Sequence, residues 1–273
     1  MHESLQLVKN CLSLSLVDYN EDLVDKVKYF LLDYIGVALR GSLTESSLAA
    51  RKGIHRAHSH DQSQGVTILG TPFRAAPSQA ALLNGTAAHS LELDDVVNAA
   101  SLHPGVVIMP AVLAAAEWEN TSAGEVFEAI VTGYEVMVRL GIALNPAAHY
   151  KQGFHPTGTC GAFGAAMAVG KILHLDQAQM TNALGIAGSQ TAGSLEFLSD
   201  GAYTKRFHAG WAAHSGLIAA YLAQAGFTGP ATILEGKHGF LQAYSTASHP
   251  EALLQDWANP FALLRTSIKP HAC

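Results

Sequence analysis

Two histidine–proline dipeptides are the features of this sequence that most clearly suggest chemistry. His103 precedes Pro104, and His155 precedes Pro156. Proline is well tolerated in the first turn of a helix, so each dipeptide predicts a histidine just ahead of a helix N-terminus. The free N–H groups there attract carboxylates and disfavour the imidazolium, which keeps a histidine neutral and able to act as a base. One such dipeptide is usually an ordinary loop-to-helix junction, but two favour a functional site.

Three acidic residues crowd together shortly before the first of these dipeptides. Glu92, Asp94 and Asp95 end the run His-Ser-Leu-Glu-Leu-Asp-Asp, which begins at His89 after an apolar stretch. For any one of these acids, a solvated helix end is the more common explanation. The alternative is that one of them orients a histidine, or has a raised pKa and takes part in proton transfer.

A compact cationic cluster lies further along the chain. Lys205, Arg206 and His208 stand together in a protein that has 16 Lys and Arg against 22 Asp and Glu. Such a cluster suits a ligand with two carboxylates, because arginine makes bidentate contacts and lysine makes point contacts or transfers protons. A helix-start turn with solvated charges explains the cluster about equally well.

Helices must position these residues, because helical periodicity dominates the chain. Apolar residues recur at spacings of three and four through Glu21–Leu39, which predicts a helix with one buried stripe. The run from Gly161 to Gly170 is rich in Gly and Ala on all sides, so we expect closely packed, mostly buried helices. Only Gly65–Leu69 has the pattern of a strand, and the predicted fold class is all-α. Further helices are predicted at Pro77–Leu91, Pro104–Trp118, Ala123–Leu144, Gly158–Leu173, Asp176–Thr191 and Gly210–Ala225.

The composition argues against several classes of protein. The longest apolar stretch, Val106–Ala116, is far shorter than the roughly 20 residues that a membrane helix requires. The N-terminus lacks the pattern of a secretory signal, so we expect a cytoplasmic protein. A net charge of −6 without any Lys/Arg run argues against nucleic-acid binding. Cys11, Cys160 and Cys273 lie far apart, which argues against a disulfide framework, a zinc site or an iron–sulfur centre. The expected ligand is a small molecule.

Three runs, in this order and spacing, resemble the signature series of the MmgE/PrpD family. They are His-Ser-Leu-Glu-Leu-Asp-Asp with Leu-His-Pro-Gly, then Gly-Phe-His-Pro-Thr-Gly, then Thr-Lys-Arg-Phe-His-Ala-Gly-Trp-Ala-Ala-His. The resemblance implies a multi-helix domain over residues 1–266, incomplete without C-terminal return helices. It implies that residues 267–273 begin an α+β lid domain whose remainder is absent. It also implies a homodimer that acts on a small polycarboxylate without a metal or nucleotide cofactor.

The resemblance further implies roles for individual residues. Decarboxylases of this family build their site from an acidic residue, a threonine, two histidines and two lysines. The acid falls on Glu92, the histidines fall on His103 and His155, and the lysines fall on Lys205 and Lys269.

Two departures separate this chain from the decarboxylase pattern. Glu92 is one methylene longer than the aspartate that it replaces. Val96 occupies the threonine position, and one extra residue precedes His103. These changes favour the broader dehydratase-like group over a decarboxylase of cis-aconitate.

We therefore predict a cofactor-independent lyase, most similar to 2-methylcitrate dehydratase. A base removes the proton next to a carboxylate, an acid protonates the departing hydroxyl, and cations stabilise the enolate-like charge. His103 and His155 are the candidates for base and acid, without an assignment of which is which. Glu92 or Asp95 would orient a histidine. The candidates for binding carboxylates are Lys205, Arg206, His208 and Lys269.

Other functions remain open from the sequence. Decarboxylation of cis-aconitate or epimerisation of iminodisuccinate would use the same residues, since each reaction passes through a stabilised carbanion. A rival of another class is an inactive helical module that serves only in dimer formation. Without a lid we expect this chain alone to be inactive and prone to self-association, with Lys269 poorly fixed near its end.

Overall fold

A computed structural model describes residues 3–57 and 65–272, and most of the regular structure in them is helical. This confirms the all-α prediction. The helices of the described residues are α1 (Glu3–Ser13), α2 (Glu21–Gly41), α3 (Glu45–Ala57), α4 (Pro77–Ala88), α5 (Gly105–Glu119), α6 (Ala123–Ala143), α7 (Pro146–Lys151), α8 (Pro156–Ile172), α9 (Gln177–Gly188), α10 (Thr204–Gln224) and α11 (Phe240–Tyr244). Helices α1, α3, α7 and α11 were not predicted; α7 and α11 are too short for a periodic pattern. No helix of the described residues is both long and apolar enough to cross a bilayer.

Six short 3₁₀ helices and one two-stranded sheet complete the regular structure of the described residues. β1 (Val66–Thr67) pairs antiparallel with β2 (Arg74–Ala75). β1 lies inside the predicted stretch Gly65–Leu69. The prediction missed β2, because a strand of two residues carries no readable alternation.

Local capping explains where several helices begin. Asp176 and Gln179 form reciprocal side-chain to backbone hydrogen bonds of 2.8 and 3.1 Å at the start of α9. Pro77 and Pro156 occupy the first position of α4 and α8, where a missing N–H costs nothing. These signals are local, so the predicted and observed starts agree within about two residues.

Helix α10 is the exception to this agreement. It begins at Thr204, well before the predicted start at Gly210, and its N-cap Tyr203 makes no side-chain capping bond. Without a capping residue the sequence offered no start signal there. Lys205, Arg206 and His208 therefore lie on the first turns of α10 and not in a loop ahead of it.

The core is built around α8. Every residue of α8 except Lys171 is buried, and α8 packs against α5, α6, α9 and α10. A Cβ added to Gly164 would lie 2.8 Å from the Cβ of Met137 on α6, and one on Gly161 would lie 3.0 Å from that of Ala212 on α10. The small residues are therefore what lets neighbouring helices approach, as the Gly and Ala content predicted.

A buried ion pair on α6 holds the C-terminal part of the chain. Arg139 Nε donates to Glu135 Oε1 at 2.7 Å, and its other nitrogens donate to the carbonyls of Gln255 and Asp256 at 2.6 and 2.8 Å. Glu135 also accepts the N–H of Ala262 at 2.7 Å. Buried charges are tolerated only when they are paired and hydrogen-bonded, so these contacts fix the path of the chain after α11.

Candidate active site

The chain between α4 and α5, residues 89–104, forms what we call the site loop. Glu92 and Ser101 have left-handed backbones, with φ of 58° and 50°, which costs roughly 1–2 kcal/mol for each non-glycine residue. A backbone bridge between Val97 and Leu102 folds the loop back on itself. Downstream of the reversal at Glu92, the next two acids enter the interior: Asp94 is 1% exposed and Asp95 is 2% exposed.

Asp94 is the centre of a buried charge cluster. Its Oδ2 lies 2.9 Å from His89 Nδ1 and 3.3 Å from His103 Nδ1. Its Oδ1 lies 3.6 Å from Lys269 Nζ. One carboxylate therefore faces three groups that are able to carry positive charge.

These neighbours decide the ionisation state of Asp94. Burial by itself raises the pKa of Asp94, but the charge and hydrogen bond of His89, together with His103 and Lys269, hold this pKa well below its usual range. The pKa of His103 is lowered to about 4, because burial outweighs the attraction of Asp94. At neutral pH the cluster holds an ionised Asp94 beside a neutral His103.

The hydrogen bonding of His103 identifies the ring nitrogen that is free to react. His103 Nδ1 lies 2.6 Å from the carbonyl oxygen of Asp95. A carbonyl only accepts, so Nδ1 carries the hydrogen and Nε2 carries the lone pair of the neutral ring. The His103 side chain is 14% exposed, against 0% for His89 and 1% for Asp94. Its Nε2 is therefore the atom best placed to exchange a proton with a ligand.

The two histidine–proline junctions lie side by side. The backbone N–H of His103 donates to Thr157 Oγ1 at 3.2 Å, and Thr157 is in the first turn of α8, whose N-cap is His155. The ring of His89 lies between the other two, with ring centroids 5.2 Å from His103 and 5.8 Å from His155. The structure thus joins two parts of the chain that are distant in sequence.

His155 pairs with a fourth histidine. His155 Nδ1 and His208 Nδ1 lie 3.3 Å apart, and the ring of Phe197 packs edge-on against both. Burial, followed by the charges of His89 and His208, lowers the pKa of His155 well below its usual range. Burial and His89 lower the pKa of His208 to about 4. Both rings are neutral at pH 7, so one Nδ1 donates to the other. His208, which was predicted to bind substrate, is the hydrogen-bond partner of His155.

The predicted cations separate in the structure. Lys205 Nζ lies 2.5 Å from Glu92 Oε2, with side chains 27% and 16% exposed. Arg206 donates to the Ser90 carbonyl at 3.4 Å, and its guanidinium lies over the ring of Tyr203. Lys205 therefore contacts the site loop through the carboxylate of Glu92, whereas Arg206 contacts a backbone oxygen and an aromatic ring.

In the part of the chain that the structure describes, the Asp95 carboxylate makes no hydrogen bond to a histidine, which corrects one of its predicted roles. Its Oδ1 accepts the N–H of Gly105 at 2.9 Å and its Oδ2 accepts the hydroxyl of Tyr134 at 2.7 Å, so it caps the start of α5. Only its backbone carbonyl reaches His103. Burial raises the pKa of Asp95 to about 7; the Tyr134 hydrogen bond opposes this shift and the charge of Asp94 adds to it.

Replacing Asp95 by asparagine is expected to alter how stability depends on pH. In the folded chain Asp95 keeps its proton up to a pKa of about 7, whereas in the unfolded chain it loses it near pH 4. Between these values the unfolded state binds fewer protons, so this group lowers the free energy of unfolding as pH rises. The free energy of unfolding of Asp95→Asn, relative to that of the parent chain, should therefore increase between pH 5 and pH 8. Urea unfolding of both proteins at each pH measures this, and a difference that does not grow with pH contradicts it.

The segment that carries Lys269 is held against the site loop. Val96 and Ser267 exchange two backbone hydrogen bonds of 2.9 and 3.0 Å. The side chain of Lys269 is 7% exposed, and its Nζ has no hydrogen-bond partner among the described residues. The expectation that Lys269 is poorly fixed was wrong, because backbone pairing two residues earlier anchors it.

His89 and Asp94 belong to the site, although neither was assigned a role in it from the sequence. Both stand in the run from His89 to Asp95, but only Glu92 and Asp95 were assigned roles in that run. A carboxylate and a histidine in one short run were the available signal. Both Asp94 and Asp95 turn inward after the left-handed residue Glu92, and that conformation has no marker in the sequence.

The fold and the site together define a helical domain that gathers histidines, acids and lysines where proton transfer to an anionic ligand is chemically feasible. The family model described as the MmgE/PrpD N-terminal domain matches residues 6–253. The chain therefore belongs to the MmgE/PrpD family, which confirms the resemblance seen in the sequence.

Several curated proteins that match this chain are named as cis-aconitate decarboxylases or as similar to them. A cis-aconitate decarboxylase-like protein of Aspergillus oryzae is 30% identical over 270 residues, which cover 94% of this chain and 55% of that protein. Cis-aconitate decarboxylase of Aspergillus terreus is 31% identical over 88% of this chain and 49% of its own length. The Homo sapiens enzyme of the same name is 31% identical over 82% and 47%. The chain spans about half the length of the curated relatives that it matches.

Proposed function

We propose that this chain supplies the helical part of the active site of a lyase that acts on a small polycarboxylate. The observation that carries the proposal is the contact between the two histidine–proline junctions, with Lys205 and Lys269 in the same region. Membership of the MmgE/PrpD family and the names of the relatives support it.

In this proposal His103 exchanges the proton and the lysines bind carboxylates. Nε2 of His103 faces the substrate carbon next to a carboxylate, and Asp94 stabilises the imidazolium that forms during the reaction. Lys205 and Lys269 stabilise the enolate-like charge. His155, which is neutral in its pair with His208, is the second candidate for proton transfer.

The names of the relatives favour decarboxylation of cis-aconitate or a close analogue as the reaction. The allylic carboxylate leaves as CO2, its bonding electrons form a new double bond, and the old double bond takes a proton from His103 at the carbon next to a carboxylate. A neutral His103 must first be protonated. A bound trianion favours that form, because an opposite charge within about 4–6 Å typically raises the pKa of a histidine by one to three units.

Dehydration of a hydroxy tricarboxylate such as 2-methylcitrate is the second candidate. Val96 stands where the decarboxylases have a threonine, so it cannot donate a hydrogen bond. The lowered pKa of His103, about 4, also suits a base more than an acid in the absence of substrate. These two observations favour proton abstraction.

The first test measures binding to this chain. In the chain labelled with nitrogen-15 in its histidines, cis-aconitate should shift the ring signals of His103 and His155, each assigned by its loss in the His→Gln variant. Succinate at equal ionic strength is the control and should shift them less. Shifts that are equal for both ligands, or absent from both rings, would count against a polycarboxylate site.

The second test measures turnover. Because the relatives are about twice as long, we would join this chain to the C-terminal half of the Aspergillus terreus decarboxylase and call the product the fused enzyme. Proton NMR would follow cis-aconitate, 2-methylcitrate and iminodisuccinate. We expect turnover by the fused enzyme and none by the chain alone. If the fused enzyme turns over none of the three and the chain shows no histidine shift, the lyase proposal is wrong.

Replacing Lys205 by methionine should weaken tricarboxylate binding selectively. In the proposed complex Lys205 pairs with a substrate carboxylate instead of with Glu92. Lys205→Met should therefore raise KM for a tricarboxylate more than for a dicarboxylate. Lys28→Met removes an exposed lysine that pairs only with Asp25 among the described residues, and it should leave both KM values unchanged. Initial rates of the fused enzyme on both substrates measure this. Equal increases for the two substrates would rule out the role.

A further inference from the structure

Asp94 is less well satisfied than a buried carboxylate usually is. Its Oδ2 accepts a 2.9 Å hydrogen bond from His89, whereas its Oδ1 has no hydrogen-bond partner among the described residues. Lys269 Nζ, 3.6 Å away, also lacks one. A buried carboxylate left partly unpaired costs free energy that a purely structural ion pair would avoid. The arrangement therefore keeps negative charge available in the site.

The Asp94 carboxylate lies on the side of the His103 ring away from its free nitrogen. Asp94 Oδ2 is 3.3 Å from His103 Nδ1, and that nitrogen already donates to the Asp95 carbonyl. Both acceptors stand on the same side of the ring, so Nε2 points away from them. A carboxylate at this distance stabilises the protonated form of a histidine by its charge, as the acid of a catalytic triad does.

His89 holds Asp94 in place. Its Nδ1 must donate to Asp94 because an ionised carboxylate only accepts, and its Nε2 is buried without a hydrogen-bond partner among the described residues. The bond to Asp94 is therefore the polar contact that the described structure gives this ring. Because His89 follows α4 directly, its position is set by that helix.

We propose that Asp94 is the positioning residue of the proposed lyase: held by His89, it places a negative charge against His103 and stabilises the proton that His103 carries. The proposal rests on the proposed function, in which His103 exchanges the substrate proton. It assigns to Asp94 the role that the sequence left open among three acids, it adds His89, and it gives neither residue contact with substrate.

Other charges near Asp94 affect how it acts. Lys269 from the C-terminal segment and His89 from the end of α4 oppose protonation of His103, whereas Asp94 favours it. Asp33 on α2 and Asp95 on the site loop add negative charge nearby, and Asp95 is largely protonated below its pKa of about 7. Asp94 is therefore the acid whose charge acts most directly on His103.

Two substitutions should move the pKa of His103 in opposite directions. Asp94→Asn keeps the shape and removes the charge, so this pKa should fall by about one unit or more. His89→Phe keeps an aromatic ring but removes a competing positive group and frees the carboxylate, so the pKa should rise. Asp95→Asn is the matched control, because Asp95 touches His103 only through its backbone carbonyl, and it should leave the pKa unchanged.

The measurement is an NMR titration of the histidine rings in the 273-residue chain. In the fused enzyme, Asp94→Asn should also lower kcat about 10²-fold and change KM little. A His103 pKa that does not fall in Asp94→Asn overturns the proposal. If that variant does not fold, His89→Phe decides, and an unchanged or lowered pKa there overturns it. The titration needs no substrate, so normal turnover with an unexpected titration rejects only the role of Asp94. The expected titration without turnover rejects only the lyase.

Discussion

Alanine at His103 or at His155 is expected to lower kcat/KM of the fused enzyme by about 10²- to 10⁴-fold, the range for a lost proton-transfer group. For His103 the reason is its free Nε2 beside an ionised Asp94. For His155 the reason is its position at the start of α8, next to the first junction. Steady-state kinetics with the best substrate measure both losses.

A histidine outside the site provides the matched control. His174 follows α8, the helix that His155 begins, and its side chain is 72% exposed. His174→Ala should leave kcat/KM within about twofold, since exposed surface substitutions rarely change stability or structure. If His103→Ala and His155→Ala both keep near-normal turnover, the proposed chemistry is wrong.

The pH dependence of the same enzyme distinguishes the two candidate reactions. A dehydratase needs His103 neutral, so kcat/KM should be lost as pH falls through the pKa of His103, about 4 in the free protein. A decarboxylase needs His103 protonated in the complex, so kcat should be lost as pH rises through the pKa of the bound state. His103→Gln should therefore remove the acidic limb of the pH profile if the enzyme is a dehydratase, and the basic limb if it is a decarboxylase.

Gly210→Ala is expected to lower the free energy of unfolding by about 2–3 kcal/mol. A Cβ at Gly210 on α10 would lie 2.1 Å from the carbonyl oxygen of Leu82 and 2.4 Å from Thr86 Oγ1 on α4. Gly85 on α4 would in turn place a Cβ 2.8 Å from the Cα of Gly210. The two backbones touch with no side chain between them. The gain in helix propensity from glycine to alanine, about 1 kcal/mol, does not offset such a clash.

Replacing a glycine that has free space around it by alanine should instead raise the free energy of unfolding. Gly36 on α2 has no atom within 4 Å of an added Cβ, so Gly36→Ala should raise the free energy of unfolding by about 0.5–1 kcal/mol. Urea unfolding followed by circular dichroism measures both variants. Equal changes in the free energy of unfolding for Gly210→Ala and Gly36→Ala would show that the α4–α10 contact does not require its glycines. The contact matters for the site because α4 leads into His89 and α10 carries Lys205 and His208.

Local sequence was sufficient to predict seven of the eleven α-helices of the described residues and the chemical character of the site. The periodicity of α2, the capping residues of α9 and the prolines at the start of α4 and α8 act within a few residues, so they are readable without a fold. The histidine–proline dipeptides marked His103 and His155 for the same reason. The compact cationic cluster marked Lys205, and the family resemblance added Lys269, which no local rule identifies.

Tertiary structure decided which of these groups meet. Lys205 and Glu92 are 113 residues apart in sequence and become partners only because α4 and α10 cross at their glycines. Lys269 reaches Asp94 only because Ser267 pairs with Val96. The choice of Asp94 over Asp95 as the partner of His103 follows from backbone angles in the site loop. Those angles are held by packing between distant segments, and the free energy of that packing belongs to the whole fold and not to any short run of residues.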